Sequence, residues 1–274
     1  MPHIVFRNKK IFYRIEGKGK PVLLLHGFGE YGNIWNHQIK TLSKNYCLII
    51  PDLPGSGKSE MLKGNCTLED YAEVIKAITD ESIFKEKKEK QFSLIGHSMG
   101  GYITLAFAEK YPKLLNSLGL FHSSAFADDE QKKATRRNGI EFIKKNGSEA
   151  FLKTAIPNLF SEQTKKENPG LLTQLLTISK DISPEVLIQY YEAMILRPDR
   201  TSVLKSFSKP ILFICGKFDT VVPLEASLKQ VQLPTLIFLH ILKNSAHVGM
   251  WEEDRISSKY LLEFFTEIYY KFPQ

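Results

Sequence analysis

Fully apolar short runs alternate with amphipathic ones along this chain. Val22-Leu23-Leu24-Leu25 is hydrophobic at every position, the pattern of a strand buried on both faces. Cys47-Leu48-Ile49-Ile50, Phe92 to Ile95, Ser117 to Phe121, Ile211 to Ile214 and Leu236 to Leu239 read in the same way. Between the earlier runs, 33–44, 68–84 and 98–111 carry helical patterns, the last stopped by Pro112. Strands alternating with helices predict the α/β class, with a mostly parallel sheet flanked by helices. The start is different. Ile4 to Phe6 and the alternating Ile11 to Ile15 predict a β-hairpin ahead of the first buried strand.

From about Ser124 to Ser206 the alternation fails. Helical runs there are punctuated by Gly147, Pro157, Asn168-Pro169-Gly170 and Ser183-Pro184-Glu185. The last is a helix start, with a serine cap, a proline in the first turn and an acid beside it. The strand pattern then returns, and a terminal helix over 256–270 presents Leu261, Leu262, Phe264, Phe265 and Ile268. The reading is one α/β core over 1–123 and 207–274, interrupted by an inserted helical lid over 124–206.

Composition adds limits. The 274 residues are 43% hydrophobic and 24% charged, ample for a core. No apolar run reaches the roughly 18 residues of a membrane span. Met1 to Arg7 lacks the apolar stretch of a secretory signal. Cys47, Cys66 and Cys215 are odd in number and far apart, which points to no disulfide framework, no zinc site and a cytoplasmic setting. The net charge of +7 includes the mixed run 85–90, read as a solvated helix end and loop. A denser basic group comprises Lys132-Lys133, Arg136-Arg137 and Lys144-Lys145. No aromatics interleave with it, so nucleic acid is not an expected partner. An acidic substrate or an acidic carrier protein stays open.

The chemistry centres on Gly96-His97-Ser98-Met99-Gly100, which lies between a buried strand and an alanine-rich helix. Strand, sharp turn and helix form the context that exposes a nucleophilic serine. A serine capping an ordinary helix is the plain alternative. A hydroxyl needs a base, and the base an orienting acid. Asp219 follows the strand ending at Cys215, and His247 follows the run that begins at Leu236. Both therefore belong at the carboxyl edge of the sheet with Ser98, the edge where ligands bind. A turn-forming aspartate and a solvated loop histidine are their plain alternatives.

Gly27-Phe28-Gly29-Glu30-Tyr31-Gly32 with Asp52 matches a dinucleotide fingerprint in spacing. That reading leaves Ser98, Asp219 and His247 without a role, and a hairpin precedes its supposed first strand. Gly57-Lys58-Ser59 lacks the first glycine of a phosphate loop, and the seven histidines show no metal-binding spacing. No cofactor or metal is expected.

With these motifs in hand, the chain resembles the α/β-hydrolase superfamily, in particular its lidded esterase-like members. His26-Gly27-Phe28-Gly29 resembles the family's oxyanion loop, and Pro51 to Ser59 its turn after the next strand. Gly96 to Gly101 resembles its nucleophile elbow, Gly216 to Asp219 its acid loop, and Ala246-His247 its histidine loop. The resemblance covers about 3–123 and 207–270. It implies an eight-stranded sheet, Ser98 as nucleophile, His247 as general base and Asp219 as orienting acid. The amides of Phe28 and Met99 would form the oxyanion hole. His122 and Trp251 are candidate pocket residues, and His97 is read as structural. Val248 to Glu253 departs from a proline-glutamate segment common in the family, which loosens the pocket contacts near Trp251. The implied activity is hydrolysis of a small carboxylic ester or similar acyl compound through an acyl-enzyme. Carbon–carbon hydrolysis, elimination, amide cleavage and perhydrolysis use the same framework, and a ligand-binding protein without turnover could retain it.

Overall fold

The computed structural model describes residues 2–85 and 91–271. The charged run at 85–90 therefore lies outside the described residues from position 86 onward. In chain order the elements are β1 (His3–Phe6), β2 (Lys9–Glu16), β3 (Lys20–Leu25), α1 (Asn36–Leu42), β4 (Tyr46–Pro51), α2 (Leu68–Thr79), β5 (Phe92–His97), α3 (Met99–Lys110) and β6 (Leu115–Phe121). A helical segment follows: α4 (Glu130–Ala155), α5 (Glu162–Glu167), α6 (Gly170–Ser179), α7 (Pro184–Leu196) and α8 (Thr201–Ser206). The chain ends with β7 (Ile211–Gly216), α9 (Leu224–Gln230), β8 (Ile237–Leu242), α10 (Gly249–Glu252) and α11 (Asp254–Thr266).

The strands make one eight-stranded sheet in the order β1-β2-β4-β3-β5-β6-β7-β8. β1 and β2 pair antiparallel, as do β2 and β4, and the remaining pairings are parallel. Every residue of β4, β5, β6 and β7 is buried, as their largely apolar character demands, and the polar Ser93, Asn116 and Ser117 bond one another inside. At the edge, β8 is only partly covered. Helix α1 packs on α11 and α2 on α3, flanking the sheet.

Local chemistry sets several boundaries. Thr67 caps α2 in a reciprocal box with Asp70, its hydroxyl taking the Asp70 N–H while the carboxylate takes the Thr67 N–H. Pro184 opens α7, where the serine-proline-glutamate signal put it. Gly147 breaks α4 with a φ of 84°, a value glycine adopts without a Cβ clash.

The centre of the sheet positions one crossing. β5 runs into α3 through Ser98, and the two elements touch backbone to backbone. A Cβ on Gly96 would lie 2.2 Å from the carbonyl of Gly100, and one on Gly100 would lie 2.6 Å from the His26 carbonyl oxygen. Neither neighbour is a side chain that can swing aside. Gly96→Ala is therefore expected to cost roughly 3 kcal/mol or more of stability, at or above the upper range for overpacked cores. Urea unfolding followed by circular dichroism measures it, and a midpoint equal to wild type would contradict this account of the crossing.

Candidate active site

Ser98 sits at φ 50° and ψ −116°, a strained backbone for any residue with a Cβ. Three hydrogen bonds over-determine it. Its N–H donates to Phe121 O at 2.9 Å, and its carbonyl accepts from Gly101 N (2.9 Å) and Ser123 Oγ (2.7 Å). A Cβ on Gly101 would strike Ser123 Oγ at 2.2 Å, so that glycine is what lets the serine in.

Asp219 leaves β7 and His247 follows β8, and the fold brings both to Ser98. His247 Nε2 lies 2.9 Å from Ser98 Oγ, and His247 Nδ1 lies 2.8 Å from Asp219 Oδ2. With Nδ1–H donating to the carboxylate, Nε2 is free to accept the serine proton. All three side chains are buried, and Ser98, the most accessible, is 8% exposed.

Asp219 is fixed by more than the imidazole of His247. Its Oδ1 accepts from the N–H groups of Val221 and Val222, each at 2.9 Å. Its Oδ2 also meets His122 Nδ1 at 3.1 Å. Burial alone would raise this carboxyl, but the two imidazoles and their hydrogen bonds outweigh it and hold Asp219 far below the usual carboxylate range. His122, read from sequence as a pocket residue, does not line the cavity above Ser98. It is buried behind the acid, because the strand end that carries it points into the loops after β7 and β8. Two backbone N–H groups also point at its ring, Gly216 at Nδ1 (3.1 Å) and Gly249 at Nε2 (3.3 Å). Burial pushes its pKa down to about 4, against the pull of Asp219. Ligand-type atoms of His122, Asp219 and His247 lie within 4.8 Å of one another, but the Nδ1 atoms of both imidazoles already face the carboxylate.

His97, beside Ser98, bridges two loops. Its Nε2–H donates to the His247 carbonyl at 2.9 Å, and its Nδ1 meets Glu30 Oε2 at 3.0 Å. The same Glu30 oxygen accepts from Gly27 N–H at 2.8 Å. Burial opposes both charges. The opposite charge and the hydrogen bonds nevertheless win, raising His97 and lowering Glu30, so both shifts favour the charged forms. An unbroken chain thus runs from the loop after β3, through Glu30 and His97, to the backbone of His247. The other side of that backbone is held from the helical segment, where Leu159 O accepts His247 N–H at 2.9 Å. Glu30 was missed in the sequence reading, although an acid three residues after Gly27 is a visible signal for a loop closed by its own side chain.

Phe28 lies in that loop and Met99 opens α3. The first amides of a helix have no acceptor within it, and among the described residues neither the Phe28 nor the Met99 N–H is engaged. Trp251 does not line the cavity either. It is buried, with Nε1–H donating to Ile34 O at 2.8 Å, because α10 turns inward beneath the histidine loop. The departure after His247 has its own use here. Glu252 accepts from Ala246 N and Ser161 N, and Glu253 from Asn244 N and Ser245 Oγ, so two glutamates shape the loop. The apparent nucleotide fingerprint is likewise accounted for by local bonds, since Asp52 accepts from Gly32 N and Lys58 N. Asp128, the first acid after β6, is taken by arginines.

A cavity of about 380 Å³ opens above Ser98 and His247. Phe28 and Tyr102 of the core share its walls with Leu152, Ile156 and Leu159, and with Leu175, Tyr191 and Met194 from α6 and α7. The walls are mostly apolar, as in sites for small organic ligands.

Residues 20–254 match the family model described as alpha/beta hydrolase fold. The chain belongs to that family. Among its alpha/beta hydrolase relatives, monoacylglycerol lipase abhd6-B of Xenopus laevis is 26% identical over 96% of this chain and 81% of its own length. An uncharacterized protein of Mycobacterium tuberculosis is 28% identical over 43% of this chain, a match that spans only 33% of that relative. Among solved structures, a thermophilic esterase from Thermogutta terrifontis superposes with a TM-score of 0.91 at 26% identity, covering 97% of this chain and 98% of that one. No helix among the described residues is long and apolar enough to cross a membrane.

Two outcomes follow. A depressed histidine pKa means that the unfolded chain takes up protons the native state refuses. The His122 contribution is therefore complete above the unfolded value near 6.5 and is lost as pH falls toward about 4. Urea midpoints should fall over that window by up to roughly 3 kcal/mol in stability, and His122→Asn should flatten the slope. An unchanged slope in the variant would contradict a neutral native His122. Separately, Glu30→Gln should lower kcat/KM for an ester about 10- to 100-fold by loosening the loop around Phe28, measured beside an intact near-UV circular dichroism spectrum.

Proposed function

We propose that this hydrolase cleaves carboxylic esters through an acyl-enzyme on Ser98. The observation that carries the reading is the continuous line from Ser98 Oγ to His247 to Asp219, at 2.9 and 2.8 Å, on the floor of an apolar cavity. His247 Nε2 takes the Ser98 proton as Oγ bonds to the ester carbonyl carbon. The carbonyl oxygen becomes an oxyanion, received by the N–H groups of Phe28 and Met99. Only backbone is needed for that task, so the Phe28 ring, stacked on Tyr191 at 4.4 Å, is left to shape the wall. Asp219 stabilises the imidazolium without taking its proton. Collapse of the intermediate breaks the bond to the alkoxy oxygen, which leaves as alcohol with the proton from His247. Water then repeats the sequence on the acyl-serine, with His247 as base, and releases the acid.

The helical segment over 124–206 is read as the lid. It supplies much of the apolar wall and, through Leu159, holds the His247 backbone. The lipase and esterase named among the relatives support an ester substrate; no member of the triad distinguishes esters from amides or carbon–carbon bonds.

Ser98→Ala should lower ester turnover by about four to six orders of magnitude with the fold intact. Wild-type protein should be labelled at Ser98 by a fluorophosphonate, located by peptide mass spectrometry. Hydrolysis of p-nitrophenyl esters at near wild-type rate by the alanine variant would discard the mechanism.

A further inference from the structure

One wall of the cavity carries more positive charge than the protein neutralises. Lys132 and Arg136 both line it, one turn apart on α4 and hence on one face of that helix. Their neighbours Lys133 and Arg137 share Glu130. Lys132 and Arg136 have no such private acid. Arg136 puts Nε on Asp128 Oδ2 at 2.6 Å and Nη2 near Oδ1 at 3.4 Å. That carboxylate is fully buried and also holds Arg197 at 2.9 Å. Arg197 is otherwise committed to the carbonyls of Met194 and Phe126, with its guanidinium 3.9 Å from the centre of the Tyr102 ring. Arg136 Nη1 has no hydrogen-bond partner among the described residues. Lys132 Nζ has only the Val221 carbonyl at 3.3 Å, and no carboxylate. Glu30, the acid on the cavity wall, is spent on His97 and Gly27. Two arginines therefore share one carboxylate, and Lys132 lines the same largely apolar space with no carboxylate among the described residues.

A guanidinium in that setting, sharing its counter-ion, is electrostatically incomplete. An anion reaching Arg136 Nη1 and Lys132 Nζ would complete it with charge-assisted hydrogen bonds, whereas a neutral group would leave it as it is. We propose that the cavity is built for esters that carry a carboxylate, held by Lys132 and Arg136 while the ester carbonyl lies at Ser98. This assignment rests on the ester-hydrolase reading above and narrows it. The carboxylate can belong to the acyl part, as in a dicarboxylic hemiester, or to the alcohol part, as in the ester of a hydroxy acid.

Two matched substrate pairs separate these sources. Mono-p-nitrophenyl adipate is compared with p-nitrophenyl methyl adipate, and 4-hydroxybenzoate hexanoyl ester with its methyl ester, at pH 7.5 and low salt. The expected result is a kcat/KM about tenfold or more in favour of the anionic member of one pair, falling as salt rises. Lys132→Glu, at an exposed position, should cut that ratio about tenfold. Ester cleavage that depends on Ser98 but shows no anionic preference in either pair, or a preference that Lys132→Glu leaves unchanged, overturns the subsite and leaves the esterase reading standing. If no ester is cleaved, calorimetric titration with adipate and with 1,6-hexanediol decides. Binding of adipate alone, lost in Lys132→Glu, keeps the anion site while the esterase reading falls; absence of adipate binding rejects the site as well.

Discussion

The close crossing of β5 and α3 is the constraint on which this molecule turns. Gly96 and Gly100 meet at backbone contact distance, and the chain between them must pass through a φ of 50° at Ser98. A conformation of that kind costs on the order of 1–3 kcal/mol and persists only where its surroundings leave no alternative. Here Phe121, Gly101 and Ser123 hold both backbone groups of the serine. The strain places Oγ above the sheet edge, and it puts the unengaged amide of Met99 beside it. Because Gly100 also abuts the carbonyl of His26, the loop bearing Phe28 is seated by the same contact.

Around this crossing the interior separates its buried titratable groups by environment. Glu30 and His97 face each other, and each shifts toward its charged form. His122 faces a carboxylate too, yet burial pushes its pKa down to about 4, and two backbone N–H groups, of Gly216 and Gly249, point at its ring. The first pair ties the loop after β3 to the backbone of His247, and the His122 ring braces the acid from behind. Loops from four separate strands thus hold one another by polar contacts that would be costly to break in a dry interior.

The helical segment between β6 and β7 belongs to this arrangement and does not merely cover it. Leu159 accepts from His247 N–H, and Ser161 donates its N–H to Glu252 within the histidine loop. Movement of these residues and the position of the imidazole are therefore coupled. The same segment brings Lys132 and Arg136 to the cavity, so charge and closure are carried by one element.

Much of the fold was legible in the chain itself. Runs such as Val22 to Leu25 and Ile211 to Ile214 are apolar at every position because both faces of a central strand are covered, and they mark the parallel sheet. The glycines around Ser98 announced a tight turn, and Asp219 and His247 each followed a strand, because loop placement is a local property of sequence. Distances between those loops are not. Whether His122 enters a cavity or backs an acid, whether Trp251 faces substrate or core, and that Glu30 closes its own loop onto His97 all depend on packing between segments 67 to 217 residues apart. The basic group at 132–145 looked uniform as a string of letters; only the tertiary structure shows Lys132 and Arg136 lining the cavity while Lys133 and Arg137 share Glu130. Hydrophobic period is written along the chain, whereas the pairing of buried polar groups is decided where distant segments meet.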